Sequence, residues 1–479
     1  MVGATGFEPA TSCSQNTRAT NCATPRSERK RYLIRTILCE LQLIHRQGRD
    51  NQRLVDYQKA QEYIASLAQR GWRLGLDRMS EFANRADLSG SLGDGDSPKF
   101  IHVAGTNGKG SVTAMIQSCL AEQGFRTGAF FSPFVVDTRE RIQFDRDMIT
   151  ETDLAKIATK LMPIGESLSD TDFGGVTEFE FKAAMGFEYW KQKKCEWVSL
   201  EVGLGGRLDA TNIVSPAASA IVSISYDHTS ILGSTLKEIA HEKAGIIKPG
   251  KPVVVGQMPP EALKEIERVA SELSSPIWRI GKEIQWEKIR IGVNIATPYT
   301  TITVEPSLFG DIQLHNAAVA FSVMQLAGAL KKNDKVREGF SRAYLPGRFQ
   351  MVAHGGHTYL LDGAHNPDSA NVLAKLLQQA GIKPRICITG MLNGHSAQEF
   401  YGQIRDMVEE FYVAPIDFHR SMNPTDLSQD LKSMGISVTS FGSVRSALEA
   451  AQEAKQTEPI LVCGSFYLVG EVMRLLRSK

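Results

Sequence analysis

The chain reads as an α/β protein built on two separate sheets. Three observations predict this. Strand-like and helix-like segments alternate from residue 99 onward, the pattern of a mostly parallel sheet with helices on both faces. The alternation breaks and restarts after "LPGRFQMV" (345–352). At 479 residues the chain is also long for one domain. The reading is a first domain over 51–342, a second over 343–479 with Pro346-Gly347 as punctuation, and an N-terminal extension over 1–50.

In chain order, "MVGATGFEPATSCSQNTRATNCATPRSERK" is rich in Thr, Ser, Ala and Asn and lacks periodicity. It has no apolar core of a secretory signal, so disorder or an artefact of start-site choice is expected there. Residues 54–82 have helical spacing, broken into two helices by "GWRLGLDRM" (71–79). "SGSLGDGDSP" (89–98) is a loop. "KFIHVAG" is then a strand, and "SVTAMIQSCLAEQG" a helix closed by Gly124. "RTGAFFS", "CEWVSLEVG", "AASAIVSISYD" and "KPVVVG" read as strands, with "EFEFKAAMGFEYWKQKK" a helix among them. Residues 278–315 alternate like β-hairpins, a small added sheet. In the second domain "TYLLDGAHN", "PRICITG", "EEFYVAPI", "ISVTSF" and "PILVCGS" are strands, and "PDSANVLAKLLQQAG" is a helix.

Composition narrows the function classes. Hydrophobic content of 42% and charged content of 22% are those of a soluble globular protein. A net charge of +1 gives no reason to expect nucleic acid or a membrane surface as partner, and no apolar run is long enough to span a bilayer. Seven cysteines are scattered without a CxxC pair, which reads as free thiols in a reducing, cytoplasmic compartment.

The chemistry begins at "IHVAGTNGKGSVTAM" (101–115). Glycines at 105, 108 and 110 let backbone N–H groups turn toward one anion. The helix start after them adds positive potential, and Lys109 adds a full charge for the β- and γ-phosphates. A mere strand-to-helix turn has little use for that lysine. The general phosphate-loop pattern wants Ser or Thr directly after Lys; here Gly110 stands there, with Ser111 next.

"HVAGTNGKGSV" resembles the phosphate loop of folylpolyglutamate and dihydrofolate synthases, of the Mur ligase superfamily, in which Gly follows the Lys. The resemblance extends over roughly 57–475. It takes in "RERI" (139–142), "TEFEF" (177–181), "EVGLGGRLDATN" (201–212) and "SISYDHTSILGSTLKEIAHEKAGIIKPG" (223–250). It continues through "HNAAVA" (315–320), "LPGRFQ" (345–350), "LDGAHNP" (361–367) and "GSFYLVGEV" (464–472).

The resemblance implies a P-loop ATPase domain with a parallel sheet and a small added sheet, followed by a Rossmann-like domain. It implies ATP as substrate, two Mg²⁺ ions, small-molecule partners and a monomer. ATP would be held by Thr106, Asn107, Gly108, Lys109, Gly110 and Ser111, with Asn316 near the adenine, Arg348 on phosphate and Asp362 on the ribose. Metal ligands would be Ser132, Glu201 and His228. Lys243 would carry a carbamate, which turns a cation into an anion able to approach the second metal; without the resemblance, an ion pair with Glu242 or another acid is the favoured reading. His365 would lie near the phosphates and the reacting carboxylate, so Lys109, Lys243 and His365 are the catalytic candidates. The pterin and aminobenzoate side would be Leu76, Asp77, Arg78, Thr177, Phe179, Leu208, Asp209 and Ala210. Phe179 is a stacking partner or a core aromatic, and Arg348 a phosphate ligand or an interdomain ion pair. Two departures stand out: Phe134 where the family often has His, and Gly394-His395 where Asp-Lys is common.

The expected activity is ATP-dependent addition of L-glutamate to dihydropteroate, to a folate glutamate chain, or to both. A cell-wall Mur ligase is argued against by "RLGLDRM" and "GTNGKGS". A simple P-loop kinase would not explain "DGAHNP" on a second domain.

Overall fold

Short runs of β-branched and small apolar residues form the first sheet. Its strands are β1 (Lys99–Ala104), β2 (Thr127–Phe130), β3 (Ile142–Phe144), β4 (Asp147–Met148), β5 (Trp197–Glu201), β6 (Ala218–Ile221), β7 (Val253–Val255) and β8 (Ile277–Arg279). Their spatial order is β4-β3-β2-β5-β1-β6-β7-β8. From β2 to β8 the pairings are parallel. Every residue of β2, β5, β6 and β7 is buried, as expected of parallel strands covered on both faces. In β1, Ile101 and Val103 join one core with Met115, Phe321 and Phe340, while Ala104 joins another with Ile239 and Ile266. The β3–β4 hairpin at the edge is antiparallel and turns through Asp145 and Arg146, both at positive φ.

The computed structural model describes residues 55–477, apart from 72, 95–97, 395, 419 and 455–456. The N-terminal extension, with Cys13, Cys22 and Cys39, and His395 lie outside the described residues. Among the described residues no helix is long and apolar enough to cross a membrane. Cys119, Cys195, Cys387 and Cys463 are buried free thiols.

Residues 278–315 only partly match the hairpin expectation. β9 (Gln285–Lys288), β10 (Val293–Ala296) and β11 (Thr301–Val304) do form a small antiparallel sheet. Trp278 instead belongs to the large sheet, and a helix begins at Asp311 and runs to Leu326. Over five residues, "DIQLH" alternates well enough to fit a strand, and only the apolar run after it reveals the helix.

The last sheet has order β12-β13-β17-β14-β15-β16. It comprises β12 (Gln350–His354), β13 (His357–Leu361), β14 (Ile386–Thr389), β15 (Glu410–Val413), β16 (Val438–Ser440) and β17 (Ile460–Cys463). Only β12 is antiparallel. Leu360 enters a core with Leu373, Phe400 and Phe411, while Tyr359 and Leu361 enter the opposite one with Val469. That period-two alternation covers both faces. Val135, on the loop after β2, is buried in this second core against the helix Phe466–Arg477, so the two sheets meet through apolar contact.

Candidate functional site

In open α/β sheets, ligands bind beyond the carboxyl ends of the strands where the strand order reverses. Here that point is β1, between β5 and β6. Register sets Val103 opposite Glu201, and Ala104 opposite Ile221. The loop after β1 therefore emerges beside Glu201 on one side and residues 222–228 on the other.

The loop is laced to its right-hand neighbour. Thr106 N–H donates to the Ser223 carbonyl (2.8 Å), and Ser225 N–H donates to Thr106 Oγ1 (3.1 Å). Asn107 N–H donates to Ser223 Oγ (3.0 Å). Gly108 caps the helix Lys109–Glu122 at φ 84°; a Cβ there would meet Val222 at 2.8 Å and Asn316 Oδ1 at 2.9 Å. Asn316 is buried and held by its own donation to Gln313 Oε1 (3.0 Å). Lys109 folds back, donating to the carbonyls of Gly105 (2.8 Å) and Thr106 (3.0 Å). Burial pulls its ammonium below the usual lysine range, against the opposing fields of Glu201 and Asp227.

Glu201 is the centre of the left side. Its Oε2 accepts from Ser132 N–H (3.0 Å). Arg141 donates to Ser132 Oγ (3.0 Å) and contributes to the field on Glu201 with Lys109 and Arg348. Burial nevertheless lifts the carboxyl to about 7. Glu201 and Lys109 are thus both shifted toward neutrality, because desolvation outweighs their attraction. A Cβ on Gly110 would lie 3.4 Å from Glu201 Oε2 and 3.1 Å from Leu345. Glycine after the lysine therefore lets this carboxylate approach the helix start. Ser111 is buried on the same first turn.

His228 follows β6 in left-handed conformation (φ 50°), and its N–H donates to Asp227 Oδ1 (2.9 Å). Lys243 is buried near the end of the helix Leu236–Ala244. Burial, then the charge of Lys109, lowers it to about 7. Of the sequence alternative, pairing with Glu242 or another acid, only the first partner is taken: Glu242 pairs with Arg207 (2.8 Å), while Asp227 and Asp209 exert the larger fields on Lys243.

From the second sheet come Arg348, Asp362 and His365. Asp362 follows β13, and its two oxygens accept from the N–H groups of Phe349 and Ala364 (both 2.8 Å). Arg348 lies over the Phe466 ring at 4.3 Å, within the fields of Asp362 and Glu201, and its buried Nε has no hydrogen-bond partner among the described residues. His365 Nδ1 donates to the Gly363 carbonyl (2.8 Å), which leaves Nε2 as the acceptor nitrogen in the neutral ring.

The pterin-side candidates divide. Phe179 is half-buried, edge-on to Phe130 (5.9 Å), beneath Gly203 and within 6.0 Å of the Arg141 guanidinium. Asp209 is buried, accepting from Leu204 N–H (2.9 Å) and from Thr211 N–H (2.9 Å) and Oγ1 (2.5 Å); burial raises its carboxyl. It caps the short turn Ala210–Ile213, with Leu208 half-buried before it. Arg78 and Thr177 are committed elsewhere. Arg78 Nε pairs with buried Glu180 (2.8 Å), and Glu180 closes a capping box with Thr177 at the head of the helix Glu178–Gln192. These two residues build the wall and leave little side chain to a ligand. Leu76 is half-buried and Asp77 exposed at the start of the helix Asp77–Arg85. Phe134 faces Tyr467 (6.1 Å) and Arg141 (5.5 Å).

Three residues went unassigned in the sequence. Arg141 stands inside "RERI", Asp227 immediately precedes His228, and Asn366 stands in "LDGAHNP" between a strand and a helix. Asn366 Nδ2 donates to Asp227 Oδ2 (3.1 Å) and approaches Asn107 Oδ1 (3.3 Å).

Comparison with known proteins gives the family and the fold. Residues 347–466 match the model of the Mur ligase glutamate ligase domain. The dihydrofolate synthase/folylpolyglutamate synthase of Bacillus subtilis is 32% identical over 438 residues, covering 88% of this chain and 99% of the relative. The structure of Escherichia coli FolC in complex with DHPP and ADP superposes with a TM-score of 0.78 at 31% identity, covering 88% and 98%. The bifunctional enzyme of Yersinia pestis with AMPPNP and Mn ion gives 0.77 at 31%, covering 90% and 100%. With identity above 30% sustained over almost the whole length of a relative, the chain belongs to the dihydrofolate synthase/folylpolyglutamate synthase family.

Proposed function

We propose that this protein joins L-glutamate to a pterin-linked carboxylate, that of dihydropteroate or of a folate glutamate chain, with ATP as the energy source. The observation that carries the reading is the meeting of Lys109 and Glu201 from the first sheet with Arg348 and Asp362 from the second. The substrates agree with the ADP and DHPP held by the E. coli relative, the AMPPNP and manganese held by the Y. pestis one, and the matched glutamate ligase domain.

The donors fit a hard divalent cation. Glu201 is a buried carboxyl that protein charges alone leave near 7, and a cation beside it would hold it ionised. Ser132, Glu201 and His228 are the residues we assign to that ion; when bound, it neutralises phosphate charge. A carbamate on Lys243 is the assigned contact for a second ion. The carbamate forms from a neutral amine, and burial supplies that form near neutral pH.

In the first step a substrate carboxylate oxygen bonds the γ-phosphorus and the bond to the ADP oxygen breaks. Lys109 and Arg348 offset the charge on the transferring group. In the second, the glutamate nitrogen attacks the acyl carbon, phosphate leaves with the C–O bond pair, and the amine loses a proton. His365 Nε2 is the acceptor we place nearest that step. Closure of the two sheets excludes water from the acyl phosphate. The enzyme is read as a monomer of a reducing, cytoplasmic compartment, in line with its buried thiols.

The test is ADP release by purified protein with Mg²⁺ and ATP, adding glutamate with dihydropteroate or with tetrahydrofolate. Stimulation by either pair supports the reading and separates the two acceptors. Well-folded protein that responds to neither overturns it.

A further inference from the structure

Asn366 is 2% exposed and performs two jobs with one side chain. Its Oδ1 accepts from Ser369 N–H (2.9 Å), capping the helix Pro367–Ala380. That bond fixes which way the amide faces, so Nδ2 is the group turned toward the first sheet. There it donates to Asp227 Oδ2 (3.1 Å) and approaches Asn107 Oδ1 (3.3 Å). The other Asp227 oxygen, Oδ1, accepts from His228 N–H (2.9 Å) and lies 3.8 Å from His228 Nε2. The charge of Asp227 also reaches Lys109 and Lys243. One amide on the second sheet thus touches the phosphate loop and the carboxylate on which His228, Lys109 and Lys243 converge.

We propose that Asn366 is a positioning residue that couples seating of the second sheet to the working arrangement of the phosphate loop and the Asp227–His228 turn. It acts through those groups and need not touch substrate. The proposal rests on the ligase reading and adds a residue to it. A side chain that only capped its helix would have no reason to spend its amide hydrogens on a carboxylate from another sheet.

The two jobs can be separated. Serine and aspartate both cap helices, so Asn366→Ser and Asn366→Asp should keep the fold. Serine cannot span to Asp227, and aspartate sets a like charge against it. The expected result for Asn366→Ser is a kcat lower by about 10- to 100-fold, the scale of a hydrogen bond to a charged acceptor, with unchanged thermal midpoint and little change in KM for ATP. Asn366→Asp should be worse. Combining Asn366→Asp with Asp227→Asn exchanges donor and acceptor, and should recover at least about tenfold over Asn366→Asp alone. Full kcat in Asn366→Ser, or no recovery in the exchanged pair, overturns the proposal and leaves a helix cap. If the wild type shows no glutamate-dependent ADP release, the ligase reading falls, and limited proteolysis of residues 305–349 decides this one alone. Faster cutting in Asn366→Asp than in the exchanged pair supports the coupling; equal cutting overturns it.

Discussion

Replacing Glu201 with glutamine should make the protein more stable and inactive. The carboxyl is 3% exposed, and burial lifts it from an ordinary 4.5 to about 7. A group with a raised folded pKa gives its full protonated-state stability below 4.5 and loses it as pH rises through 7. Above that, the fold must carry a poorly solvated anion. The shift corresponds to about 3 kcal/mol at pH 8, falling to under about 1 kcal/mol at pH 5. Glutamine keeps the acceptor for Ser132 N–H and carries no charge. Urea unfolding in chelator should therefore show Glu201→Gln gaining about 3 kcal/mol at pH 8 and little at pH 5. Adding Mg²⁺ and ATP should reverse the order, stabilising the wild type and not the variant. No gain at pH 8, or an equal gain at both pH values, would refute the claim that this carboxylate is held at a cost.

Lys109→Ala should abolish ADP release while the unfolding midpoint stays in place; retained turnover would mean the loop is misassigned. Gly110→Ser brings a hydroxyl within reach of Glu201, so kcat/KM should fall by about tenfold at limiting Mg²⁺ and recover as Mg²⁺ rises, with stability changed by less than about 1 kcal/mol. Lys243, lowered to about 7, should take up CO2: intact-protein mass in bicarbonate should show the adduct, and activity should drop as pH falls below 7 and the amine protonates. Arg78→Ala strands the buried Glu180 and should cost about 3–5 kcal/mol in urea unfolding, with KM for the folate substrate altered less than stability.

Local features of the site were readable because their cause is local. Gly105 to Ser111 need only a strand before them and a helix after, and both lie in the sequence. Glu201 and His228 stand in recognisable runs, Glu201 as the last residue of β5 and His228 on the loop that follows β6. What escaped depends on the fold. Arg141 comes to Glu201 on the turn that leads into β3, 60 residues before it in the chain, and no spacing rule joins them. Asn366 has a complete local role as a helix cap, and its second contact exists only when the sheets meet. Thr177 and Arg78 carry structural roles of different legibility. "TEFE" is a capping box by pattern, whereas the pairing of Arg78 with Glu180, 102 residues on, exists only in the fold. The hairpin expectation around 278–315 failed at its ends, where a few residues satisfy either period.

The short strap entering β12 carries a mechanical consequence. Phe349 N–H is pinned to Asp362 Oδ2, and Gly363 N–H to the Gly347 carbonyl (2.8 Å). Residues 347–349 are therefore cargo of the second sheet, and any pivot lies upstream of them. In any such swing Arg348 would travel with the second sheet, like a pawl on a lever arm. Swinging that arm out would withdraw the guanidinium from the field of Glu201, so the angle between the sheets also sets how much positive charge the site has to offer.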